Sequence, residues 1–124
     1  MKRLIATAKR HGKKVILHSC GSIYRVIPLL IDAGIDGLHP LQACAYSMDA
    51  EFLGRSYRGS LAFIGGVDTQ DLLIRMSPDQ IKGEVRRLRR LLGSNYIVSP
   101  SHEAILPDVP FENVVAMAEA ARES

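Results

Sequence analysis

Four short apolar runs alternate with helical stretches, and that alternation leaves few folds open. The runs are Val15 to His18, Ile35 to Pro40, Leu61 to Ile64 with an exit loop through Asp68, and Tyr96 to Ser99. Each is short, apolar and bounded by turn residues, which reads as a buried strand. Pro40 has no N–H for a sheet ladder, so the second strand is expected to stop there.

The segments between carry helical spacing. A basic helix over Lys2 to Arg10 comes first and closes at His11-Gly12. Ile23, Val26, Ile27, Leu30 and Ile31 share one face of a helix over 23–33, with Ser22 as its N-cap. Pro28 inside that helix implies a lost backbone bond or a shortened start. Met48 to Tyr57 reads as a helix capped by Ser47, and Asp71 to Met76 as a short helical turn. Ser77-Pro78-Asp79-Gln80 opens a helix that runs to Leu92, with Ile81, Val85, Leu88 and Leu92 facing inward. Pro110 to Arg122 closes the chain, with Val114, Met117, Ala118 and Ala121 on one side. Strands separated by such helices form parallel β-α-β units with right-handed crossovers.

Composition sets the class. At 124 residues, 47% hydrophobic and without tryptophan, the chain is one domain with an aliphatic core, as parallel α/β proteins have. The net charge of +3 implies no particular partner. The arginine-rich stretch Arg86 to Arg90 lacks interleaved aromatics and reads as a solvated helix face, not a nucleic-acid surface. No apolar run reaches the roughly 18 residues of a membrane span. The only cysteines, Cys20 and Cys44, do not form a disulfide scaffold, and the start lacks the pattern of a secretory leader. A reduced, cytoplasmic chain is therefore expected.

Parallel strands deliver their carboxyl ends to one rim, where sites gather. The first strand ends at His18 and Cys20, the second at His39, the third at Gly65-Gly66-Val67-Asp68, and the fourth leads to His102-Glu103. His18 and Cys20 are two apart in an extended segment and share a face, so they form a candidate metal pair. His102 or Glu103 supplies a third ligand from the last loop. Each residue also has a plainer reading. Cys20 can be a small buried hydrophobe. His39 can hydrogen-bond a loop carbonyl or meet substrate. Asp68 can cap the following helix. Gly65 and Gly66 can form a phosphate-cradling turn or a simple bend. Cys44 reads as a packed loop thiol.

Several stretches carry a family resemblance: His18-Ser19-Cys20-Gly21, Leu29 to Asp36, Phe63 to Asp68 and Pro107 to Val114. They resemble the C-terminal part of the uroporphyrinogen decarboxylase superfamily, and the ending from Ser101-His102-Glu103 through Pro110-x-Glu112-Asn113 is the most specific piece. The resemblance implies an α/β fold, the C-terminal half of a (β/α)8 TIM barrel with four parallel β-α units. The His-x-Cys pair is similar to the zinc motif of the methyltransferase branch, which moves methyl groups between a corrinoid protein and thiols. There a third ligand, usually cysteine, arrives late in the chain; here that place offers His102, with Glu103 adjacent. The resemblance then implies zinc on His18, Cys20 and His102, with Asp68 and His39 in catalytic or orienting roles and Gly65, Gly66 and Glu103 toward substrate. Metal-free decarboxylation of a porphyrinogen, with His102 on a propionate, is the alternative activity. A non-catalytic half-barrel is the third reading. Such barrels need roughly 200 residues or more, so the other strands are expected from a missing N-terminal half or from a second copy in an oligomer.

Overall fold

The computed structural model describes residues 1–123. Helix α1 spans Lys2–Arg10 and leads to strand β1, Ile16–His18. A 3-10 turn, Tyr24–Val26, runs into α2, Ile27–Ala33. Strand β2 is Gly37–Leu41, α3 is Ala50–Tyr57, and β3 is Ala62–Val67. The short α4, Leu72–Arg75, precedes α5, Pro78–Leu92. Strand β4, Tyr96–Pro100, and α6, Phe111–Ala121, complete the chain. The four strands lie in the order β1-β2-β3-β4, every neighbour parallel. Laid in chain order with right-handed crossovers, such a sheet takes its helices on one face and curves as half of a TIM barrel.

The two faces differ as that geometry demands. Leu38 and Phe63 pair across β2 and β3 and are buried with Leu53, Ile81, Val85, Leu88 and Leu92. Ile16 and Ile97 alternate to the other face and remain 54% and 52% exposed. In a closed barrel that face would be interior. Among the described residues, no helix is long and apolar enough to cross a membrane.

Several local expectations are corrected. The helix expected over 23–33 begins as α-helix only at Ile27, because Pro28 occupies its first turn, where the missing N–H is harmless. Ser22 does not cap it; its hydroxyl donates to the Tyr46 carbonyl at 2.6 Å. The next helix starts at Ala50, not Met48, and its cap is Asp49, whose carboxylate accepts from Phe52 N–H at 2.8 Å. Pro40 does not end β2. The strand continues to Leu41 through a register shift between Leu38 and Leu41, which absorbs the absent donor. On α6 the buried face is Asn113, Ala116, Met117 and Ala120, with Ala118 exposed. A polar residue takes that core position because Asn113 Nδ2 donates to the Leu73 and Met76 carbonyls at 2.9 and 2.8 Å. Those are groups that the end of α4 leaves without helical partners. Ser77 caps α5, and Gln80 Oε1 accepts from the Ser77 N–H at 3.0 Å to complete a capping box.

The arginines of α5 work within the fold. Arg86 pairs with Glu123 at 2.6 Å, Arg87 with Glu51 at 3.0 Å, and Arg89 donates to the Ala120 carbonyl at 3.3 Å. At the other end of the sheet, Asp36 ties three elements together. Its carboxylate accepts from Lys9 Nζ, Lys14 Nζ and the Val15 N–H at 2.5, 3.3 and 2.7 Å. Lys9 first, then Val15, lower its pKa from 3.8 to about 2. A depressed pKa stabilises the fold above the unfolded value, and that stabilisation is lost as pH falls through the folded value. Chemical denaturation should therefore show Asp36→Asn to be less stable than the parent at pH 7, with the gap closing between 3.8 and about 2.

Candidate metal centre at the strand ends

Three segments build the rim. His18 is the last residue of β1 and shares the open face with Ile16. The chain then turns at Gly21, whose φ of +77 suits glycine, and the turn brings Cys20 Sγ to 3.7 Å from His18 Nε2. Gln42, just past β2, clamps the turn by accepting from Gly21 N–H at 2.6 Å. The third segment follows β4. Ser101 N–H donates to the Val67 carbonyl at 2.7 Å, and its hydroxyl accepts from Thr69 N–H at 3.2 Å. With Ser101 pinned there, the loop carries Glu103 Oε2 to 3.5 Å from His18 Nε2.

His18, Cys20 and Glu103 form a group whose ligand atoms all lie within 4.8 Å of one another. All three residues are exposed. Nitrogen, sulfur and carboxylate oxygen are the donors that zinc takes, and three protein ligands leave a position for substrate. His102 lies outside this group. Its Nδ1 accepts from the Ala104 N–H at 3.3 Å. It borders a polar cavity of about 230 Å³ with Gln42, Cys44, Asp68, Thr69 and Ser101.

His39 stands directly beside the group. Parallel register pairs it with His18, and the two Nδ1 atoms are 3.2 Å apart. Asp68 caps the turn into α4, accepting from the N–H groups of Gln70, Asp71 and Leu72 at 3.2, 2.8 and 3.1 Å. Burial pushes its pKa up, but bonds from Leu72, Asp71, Gln70 and the Cys44 thiol outweigh that and hold it below the ordinary range. Burial first, then Asp68, raises the Cys44 pKa. Cys44 is exposed as a residue rather than packed in the loop, and as a protonated thiol it is a poor nucleophile.

Gly65 and Gly66 do not reach the rim as a cradle. Both are buried within β3. A Cβ on Gly65 would lie 2.5 Å from Leu41 N, and one on Gly66 3.3 Å from Leu41 Cδ2. The pair lets β2 and β3 approach where the register shifts, and the Gly65 carbonyl accepts from Tyr96 OH at 2.6 Å. Gln42 and Ser101 were not foreseen as site residues. Neither belongs to a local motif, and each acts through a partner more than 20 residues away in the chain.

The whole chain, residues 1–124, matches the family described as "Uroporphyrinogen decarboxylase (URO-D)". The chain belongs to the uroporphyrinogen decarboxylase family. Among solved structures it is similar to a "methyltransferase from Methanosarcina mazei", with a TM-score of 0.68 and 25% identity. That match covers 98% of this chain and 34% of the methyltransferase, so the chain spans about a third of that protein's length. No curated protein matches the sequence. The four parallel strands described above are the half-barrel that the family resemblance led one to expect.

Substituting Gly65 tests its structural role. Gly65→Ala should cost about 3 kcal/mol, because a backbone clash adds to a φ of +126. Gly12→Ala, with φ of +67 but open space around it, should cost only about 1 kcal/mol. Denaturant midpoints measure both; equal losses would remove the close-approach explanation.

Proposed function

We propose that this chain is the C-terminal half-barrel of a zinc-dependent methyltransferase of the uroporphyrinogen decarboxylase family. It would move a methyl group from a corrinoid-type donor, held on a corrinoid protein, to a small-molecule thiol. The observation that carries this reading is the convergence of His18, Cys20 and Glu103 within 4.8 Å. The methyltransferase among the similar structures supports it.

The chain's own residues divide the work. His18 offers Nε2, Cys20 its sulfur and Glu103 a carboxylate oxygen. As metal ligands, a deprotonated Cys20 and the Glu103 carboxylate would together match the charge of a divalent cation. Bound there, zinc would lower the pKa of a coordinated substrate thiol, so that a nucleophilic thiolate exists at neutral pH. Asp68, ionised and beside the polar cavity, orients the polar end of the substrate. Cys20 and Cys44 are not paired in a disulfide, which supports a cytoplasmic setting. A closed barrel has about eight strands, and this sheet has four. The exposed Ile16 and Ile97 support a second copy, or another segment, as the source of the rest.

A second reading has its own observation. His102 stands apart from the metal group and borders the 230 Å³ polar cavity, where it could meet a substrate carboxylate. That arrangement suits metal-free decarboxylation of a porphyrinogen.

Metal analysis separates the readings. The parent chain should bind one zinc per chain, Cys20→Ser should lose it, and Glu103→Gln should weaken it about tenfold or more. His102→Gln should leave zinc unchanged. Folded protein that takes no zinc, with porphyrin binding seen by absorbance, would favour the decarboxylase. Light scattering tests assembly: a mass of two chains is expected, and a stable monomer at high concentration argues against the second copy.

A further inference from the structure

We propose that His39 is a positioning residue that fixes the tautomer and ring orientation of His18, so that an unprotonated His18 Nε2 faces the metal ion. The proposal rests on the metal reading above.

The backbone sets the pair. His18 and His39 are register partners in adjacent parallel strands, so both rings project to the same face. The Ser19 N–H donates to the His39 carbonyl at 2.8 Å and locks the ladder at that level. The rings are tilted at 56° with centroids 5.2 Å apart, so they meet through nitrogen rather than by stacking. The Nδ1 atoms are 3.2 Å apart.

An Nδ1 to Nδ1 hydrogen bond needs one N–H and one bare nitrogen. Two arrangements satisfy it. If His39 carries its proton on Nδ1, then His18 carries its own on Nε2, toward Cys20 Sγ at 3.7 Å and Glu103 Oε2 at 3.5 Å. His18 then has no lone pair for a metal between them. If His18 carries its proton on Nδ1, His39 accepts it, and His18 Nε2 is bare where the other two ligand atoms converge. A ligating histidine generally donates its second ring N–H to a fixed acceptor, which orients the ring and raises its basicity. Among the described residues, His39 Nδ1 is the hydrogen-bond partner of His18 Nδ1. His39 is half-buried while His18 is exposed, so the acceptor is the better shielded of the two.

The second arrangement makes a definite demand on both rings. In the zinc-loaded chain, His18 carries its proton on Nδ1 and His39 on Nε2. Long-range proton–nitrogen NMR of the imidazoles reads this directly. Chelator competition gives the zinc affinity of the parent, His39→Phe and His39→Asn. Phenylalanine keeps the ring volume without an acceptor and should weaken zinc about 10- to 100-fold. The Oδ1 of His39→Asn can stand where Nδ1 stands and should recover most of that loss. Circular dichroism checks that each variant folds. Zinc as tight in His39→Phe as in the parent, no recovery in His39→Asn, or an Nδ1-protonated His39 in the loaded chain would overturn the proposal. Absence of zinc from the parent itself would overturn the metal reading and this proposal together.

Discussion

In-register pairing of β1 with β2, Ile16 beside Gly37 and His18 beside His39, is the contact on which the rim depends. β1 is three residues long, lies at the sheet edge, and buries little apolar surface, since Leu17 is only half-buried. Hydrophobic packing alone does not hold such a strand in place. Polar clamps complete the hold at both ends. Below, Asp36 gathers Lys9, Lys14 and the Val15 N–H. Above, His39 accepts from Ser19, and Gln42 accepts from Gly21. At roughly 1 kcal/mol for each net hydrogen bond, two or three of these clamps match what one buried aliphatic side chain contributes.

The rest of the half-barrel acts as a rigid base. β2 and β3 are its buried strands, and the α5 face of Ile81, Val85, Leu88 and Leu92 packs on the same side. Gly65 and Gly66 draw β3 close to Leu41, and Tyr96 closes over them from β4. Ser101 leaves β4 already tied to β3, so the loop that carries Glu103 begins from a fixed point. A ligand on the far side of the sheet thus reaches His18 without an element of its own. Asn113 anchors α6 to the end of α4 in a similar way, a buried polar group holding what a helix end leaves open.

Much of this was legible in the residues, and the failures share a cause. Strand order and the placement of His18, Cys20, His39 and Asp68 at strand ends follow from short-range periodicity and from the parallel β-α-β rule. The cap of α3 was misread because Ser47 and Asp49 are both good caps by type, and only the path of the preceding loop selects Asp49. The buried face of α6 was misread because periodicity counts apolar residues, whereas Asn113 is inside through its bonds to Leu73 and Met76. His102 and Glu103 are adjacent, so the sequence could not say which one turns toward His18; the pinning of Ser101 against β3 favours Glu103. The glycine pair had a phosphate-binding look that only the distance to Leu41 removes.

X-ray absorption at the zinc edge, on the zinc-loaded chain, addresses the metal centre most directly. A site built from His18, Cys20 and Glu103 predicts one sulfur neighbour at about 2.3 Å, with nitrogen and oxygen filling the remaining positions. Two sulfur neighbours, or none, would contradict it.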